Sequence, residues 1–253
     1  MRPRESSATA VERSPFAARG FVVSAALIGL IVISALAVIV TGGGAPRRPT
    51  RVVSATTREA SGAGRRSGAV SVPSGASECG LPAGSQAVPT ATPTPTAWVL
   101  VGSMAAPNGP RTIGPGRSVD GFRECFAHSP TGALFALANF WAAGTAFSAS
   151  EVYTHLAADT PARAQAVRFS AGDNSRLSDS GQVQIAGFDF SSYSASEADI
   201  SVVLQSSDGN LVTVACTMLW QAGDWRYEIP PSGAPAAGAI QSLDGYVPWS
   251  DAG

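Results

Sequence analysis

Three cysteines and two histidines are the residues of this chain whose types could support redox, nucleophilic or metal chemistry: Cys79, Cys125, Cys216, His128 and His155. Metal binding is poorly served, because no Cys-x-x-Cys occurs and the histidines stand 27 positions apart. Cys216 shares one side of an alternating run with Val212, Val214, Met218 and Trp220. There a thiol acts as a small buried hydrophobe. That leaves Cys79 and Cys125, both in loop-like contexts flanking a first strand. A Cys79–Cys125 bridge would close a loop of about 46 residues and stabilise the fold by roughly 3–4 kcal/mol in the chain-entropy model. Disulfides persist in oxidising compartments, so in a reducing one the alternative is three unpaired thiols. Serine hydrolysis lacks its Gly-x-Ser-x-Gly elbow. Gly42-Gly-Gly44 opens no helix and is not a phosphate loop.

The elements that must position these residues follow from periodicity and caps. Ser129 reads as an N-cap and Pro130 as the first helical residue. The helix runs through Phe147, with Leu134, Leu137, Ala138 and Trp141 at helical spacing. Phe135 and Phe140 fall outside that stripe, so this helix should be buried on most sides. Ser148-Ala-Ser-Glu151 is a capping box opening a second helix to about Ala158, and Thr160-Pro161 opens a third to about Phe169. His128 lies just before the first cap, facing solvent or bonding the loop, and His155 reads as a surface or packing residue.

The period then changes to two. Val183–Tyr193, Ile200–Leu204, Leu211–Trp220 and Trp225–Ile229 alternate as strands, with turns at Asp208-Gly-Asn210 and Gln221-Ala-Gly-Asp224. Helices followed by an antiparallel meander predict an α+β domain. Ahead of it, Trp98–Val101 is a short strand, and Gly, Pro and Asn read as loop from there to about Asp120. Val88–Ala97, with alternating prolines, should be extended.

Phe21–Val40 carries no charge and no proline over twenty residues. As a helix it would span roughly 30 Å, the thickness of a bilayer core. It is longer than the apolar core of a secretory signal, about 7–15 residues, and lacks a clear small-residue cleavage pattern. The expected layout is a cytoplasmic head (1–20), a transmembrane helix (21–40), a flexible stalk (41–78), an extracytoplasmic domain (79–230) and a Pro/Gly/Ala-rich tail (231–253), with Tyr246 and Trp249 the residues that could pin its end back on the domain. Four Arg flank each side of the span within twenty residues, so charge does not orient it. The short head and long following segment do: the C-terminal domain should lie outside the cell membrane, tethered through residues 21–40. Ten of the seventeen Arg precede residue 70, and the rest of the chain is acidic. That argues against nucleic-acid binding by the folded domain.

Helices followed by a meander ending in DGNLVTVACTMLWQAGDWRYEI resemble the cone-shaped α+β fold of the nuclear transport factor 2-like superfamily, over residues 125–230. That fold hosts enzymes, ligand binders and scaffolds alike. Cys79-Gly-Leu-Pro82, Trp98-Val-Leu-Val-Gly-Ser-Met104 and Cys125-Phe-Ala-His-Ser-Pro-Thr-Gly-Ala133 are similar to uncharacterised anchored proteins of high-GC Gram-positive bacteria found in conjugative elements. The layout also looks like the bitopic scaffold subunit of type IV secretion channels, which implies an assembly role with membrane or envelope proteins, including copies of itself.

Enzymes of the resembled fold use a carboxylate or His inside the cone with a Tyr beside it. Here the matching types are Asp189, Tyr193, Tyr227 and His155, and a pocket would draw on Trp141, His155, Tyr193, Trp220 and Tyr227. Nothing in the pattern separates them from solvated positions. The leading expectation is therefore a non-enzymatic scaffold or interaction domain with no cofactor. The alternative is an anchored cone that binds a small apolar ligand, with or without chemistry. A cone filled by Phe135, Trp141 and Trp220 favours the first; an open apolar cavity favours the second.

Overall fold

The computed structural model describes residues 76–95 and 97–251 of the 253-residue chain. The expected head (1–20), the span (21–40) and the stalk as far as residue 75 lie outside the described residues. No helix among the described residues is long and apolar enough to cross a membrane.

Helix α1, Pro130–Ala146, is the central element. Ser129 is extended and its hydroxyl accepts the Gly132 amide at 3.0 Å, while Pro130 has no N–H to satisfy in the first turn. Leu134, Phe135, Leu137 and Ala138 are fully inaccessible, so the helix is covered on most sides. Gly132 is required by a close approach: a Cβ there would stand 1.9 Å from the Ala127 carbonyl oxygen. Helix α2, Ala149–Leu156, opens with the expected capping box, in which Glu151 accepts the Ser148 amide at 2.9 Å. Helix α3, Pro161–Ser170, is capped by Thr160 and rests on α2 with no fully buried residue.

These three helices accompany a curved antiparallel sheet, and the domain is α+β. Strands β5 (Val183–Tyr193), β6 (Glu197–Ser206), β7 (Leu211–Gln221) and β8 (Asp224–Glu228) form the meander. Two register shifts in β5, at Ile185/Gly187 and Phe190/Ser192, bend that strand and curve the sheet. The register lines up Phe188, Val202 and Val214 in one row, and Ala198, Met218 and Tyr227 in another. Both rows are buried on the face that receives α1, where the Phe140 ring stacks on Tyr227 at 4.1 Å.

Residues 102–120 are not the loop that Gly, Pro and Asn suggested. They contribute to two hairpins, β1 (Ala97–Val101) with β2 (Met104–Asn108), and β3 (Arg117–Val119) with β4 (Phe122–Glu124). Asp120 and Gly121, both at positive φ, make the two-residue turn of the second. Pro107 is tolerated in β2 because it faces Trp98 in a two-stranded sheet.

The expected boundaries at 78 and 230 also move. Ser77 is already buried, and Glu78 donates its amide to the Gly223 carbonyl at 2.8 Å. Past 230, β9 (Ala237–Ile240) pairs with Leu211–Val214 of β7, and β10 (Val247–Pro248) pairs with β5. Trp249 is 1 % exposed, its ring 5.3–5.7 Å from those of Trp98, Phe135 and Phe188. Trp249, with the Tyr246 hydroxyl donating to that of Thr213 at 2.8 Å, thus pins back a segment whose composition read as a tail, the alternative those two aromatic residues had offered. The Pro-rich stretch before β1 lies against the same corner, with Pro93 O accepting from Trp249 Nε1 at 3.1 Å.

Candidate functional site

Cys79 and Cys125 form a disulfide, and Cys216 is a free, buried thiol. The bridge sits in a polar cluster that the sequence did not single out. The turn between β7 and β8 approaches Glu78 so closely that a Cβ on Gly223, at φ +82°, would lie 2.9 Å from the Glu78 nitrogen. This places Asp224 beneath the bridge, 1 % exposed, where it accepts the amides of Cys125, Phe126 and Trp225 at 2.8 Å each. Burial lifts the Asp224 carboxyl to about 6, against the opposing pull of Arg226 and the three amides.

Around it, Glu78 and Glu124 each contact both Arg117 and Arg226, at 2.7–3.5 Å. Arg226 also donates to the His155 carbonyl oxygen. Each of the three carboxylates therefore faces a guanidinium. Such a cluster orients backbone segments; a general base would need a carboxylate turned toward substrate. Its physical effect is to lock Glu78, the disulfide, β4 and β8 together.

The residues expected to share a pocket are dispersed. Tyr193 and Trp220 meet on either side of Trp225, at 6.1 and 5.3 Å between ring centres. Tyr227 and Trp141 both contact Phe140, and burial raises the Tyr227 phenol well above its usual pKa. His155 lies elsewhere, stacked on Phe122 at 4.1 Å. Asp189 is exposed on β5. His128 departs from the solvent-facing option: it is 5 % exposed, stacked on Trp220 at 4.0 Å, with its Nε2 bonded to Ala195 O. Gln86 ties this aromatic group to the incoming chain, donating to His128 O and accepting from the Tyr193 hydroxyl. Among the described residues no group of three His, Cys, Asp or Glu is placed to hold a metal.

Clefts open on the surface formed by the described residues. One of about 500 Å³ lies between the β1–β2 and β3–β4 hairpins and the end of α1, lined by Leu100, Asn108, Pro115, Arg117, Arg123 and Phe147 among others. A second, of about 260 Å³, lies on the sheet at Asp199, whose carboxylate accepts the Ser192 and Thr217 hydroxyls at 2.7 and 2.8 Å. Neither is lined by Trp141, His155, Tyr193, Trp220 or Tyr227.

Arg117, Arg123, Glu124, Asp224 and Arg226 were missed by reading motifs. The available signal was Asp120-Gly121 between two three-residue runs, a hairpin turn that would have placed Arg117 opposite Glu124.

No curated protein and no solved structure matches the chain. One family model, described as a domain of unknown function (DUF8175), matches residues 58–248, about three quarters of the length, and the chain belongs to that family.

Proposed function

We propose that this is a non-enzymatic, single-pass membrane protein whose extracytoplasmic domain works by making protein contacts. The observation that carries the reading is the filled interior: Phe135, Leu137, Phe188, Ile200, Val202, Val214 and Met218, each at most 1 % exposed, occupy the space between α1 and the sheet. Function is then left to the surface. The Cys79–Cys125 bridge supports placement outside the cytoplasm, where disulfides persist. The anchor is residues 21–40, and three helices on a curved meander support the nuclear transport factor 2-like cone. The resemblance to anchored proteins of conjugative elements and to the secretion-channel scaffold makes a DNA-transfer or secretion apparatus the proposed setting. Envelope proteins, including further copies of the chain, are the proposed partners.

In-cell crosslinking with mass spectrometry, at native expression level in the natural host, tests this. Secretion or conjugation components should be recovered, and lost on deleting residues 79–253 but not 1–15. Recovery of the protein alone would sink the assembly reading and turn attention to a ligand-binding cone.

A further inference from the structure

Arg123 differs from the arginines of the polar cluster around the disulfide. Arg117 and Arg226 each face at least two carboxylates, whereas Arg123 has none within ion-pair distance among the described residues. Its Nη2 donates to Asn108 Oδ1 at 2.7 Å, and its Nε is buried without an acceptor. A guanidinium has five N–H donors and does not lose its proton in a protein. Burial therefore penalises the charge without removing it, and the pKa of Arg123 is pulled down by that desolvation alone. The strand dictates where the charge goes: Phe122 and Glu124 point inward from β4, so Arg123 points out, into the 500 Å³ cleft.

The cleft runs against the charge of its surroundings. Residues 76–251 carry seven Arg against fifteen Asp and Glu, yet no acidic residue lines it. Its remaining lining is mixed: Asn108, Arg117 and Ser118 are polar, while Phe147 at the end of α1 and Leu100 on the rim, 73 % exposed, form an apolar wall. Leu100 belongs to β1, which pairs with β2 alone, so its second edge has no strand partner among the described residues. An unpaired edge beside an apolar wall is a template for an extended chain. The cation selects what that chain carries. One uncompensated guanidinium, with Arg117 already neutralised by Glu78 and Glu124, matches a planar monoanion better than a dianionic phosphate.

We infer that the cleft between the two hairpins docks an extended acidic segment of a partner protein, with a carboxylate on Arg123 and an apolar side chain against Leu100 and Phe147. This deepens the interaction reading and rests on it only in that the ligand is a polypeptide. Neither the membrane anchor nor the secretion setting is needed.

The test uses full-length protein in detergent and the fluorescein-labelled peptide Leu-Glu-Val-Glu-Leu, with its Gln counterpart as control, read by anisotropy at low salt. The ten Arg before residue 70 are present in every sample, so comparison with variants removes their contribution. The acidic peptide should bind wild type about tenfold more tightly than Arg123→Gln, and the Gln peptide should show no such difference. Leu100→Glu, at a position too exposed to burden folding, should weaken the acidic peptide by a similar factor. Equal affinity of the acidic peptide for wild type and Leu100→Glu, or for wild type and a folded Arg123→Gln, overturns the inference. So does displacement by glutarate or phosphate at the concentrations at which unlabelled peptide competes, which would make this a small-anion site. Docking in vitro without envelope partners in cells would count against the assembly proposal alone; partners in cells without Arg123-dependent docking would count against the cleft alone.

Discussion

Asp224 accepts the backbone N–H of Cys125 at 2.8 Å across 99 positions of sequence, and Arg226 approaches the same carboxylate oxygen at 3.4 Å. The β7–β8 turn is thereby fastened to the disulfide by a carboxylate that burial makes hard to ionise. Stability should be sensitive to that carboxylate, to the bridge and to the aromatic corner around Trp249.

The pH dependence of stability carries the signature of Asp224. Its carboxyl is raised from 3.8 to about 6 in the folded protein. Between those values the native state holds a proton that the unfolded chain has released. The stabilisation is therefore full below about 3.8 and lost as pH rises through about 6. The gap corresponds to about 3 kcal/mol. Urea unfolding should show the stability of wild type relative to Asp224→Asn falling by up to that amount from about pH 4 to about pH 7. A flat difference would contradict the assignment.

The Cys79–Cys125 bridge should contribute roughly 3–4 kcal/mol, since it closes a loop with a sequence separation of 46. The double variant Cys79→Ala/Cys125→Ala, or the reduced protein, should unfold at correspondingly lower urea. An unchanged midpoint would mean that the ion cluster alone holds Glu78 in place.

Cys216 should be chemically silent while the protein is folded. It is 5 % exposed, and desolvation pushes its thiol up to about 12, so almost no thiolate is present near neutrality. A colorimetric thiol reagent at about pH 8 should find no reactive group in the native protein and one of the three cysteines in denaturant. Finding three would show the bridge to be absent.

Trp249 should behave as a core residue despite its Pro- and Gly-rich neighbourhood. Trp249→Ala removes the ring that Trp98, Phe135 and Phe188 surround, and should destabilise by about 3–5 kcal/mol. A loss under about 1 kcal/mol would mark the segment after 230 as peripheral.

Legibility followed the range of the interactions. The α1 start was readable because Ser129, Pro130 and Gly132 act within one turn, and the Ser148–Glu151 box closes over three residues. The strands from Val183 to Glu228 were readable because one buried face imposes a period of two. Of the hairpins between 97 and 124 the first strand was readable at Trp98–Val101, but its partner and the second hairpin were not, since Pro107, Gly109 and Pro110 mask strands of three to five residues. Tyr193 and Trp220 were grouped as pocket residues only through the resemblance to a cone-shaped fold, and the ring between them, Trp225, was not foreseen.

By itself the sequence determined the α+β class, the caps, the meander, and the partition of Cys216 from Cys79 and Cys125. Each of these depends on neighbours a few residues away or on one alternating face. Only the tertiary structure decided that Asp224 lies under the disulfide, that Trp249 completes the core, and that Arg123 is left facing an acid-free cleft. Those outcomes depend on segments from 15 to 156 positions apart meeting at hydrogen-bonding distance. Burial and charge compensation at such points are properties of the closed packing, and no local pattern encodes them.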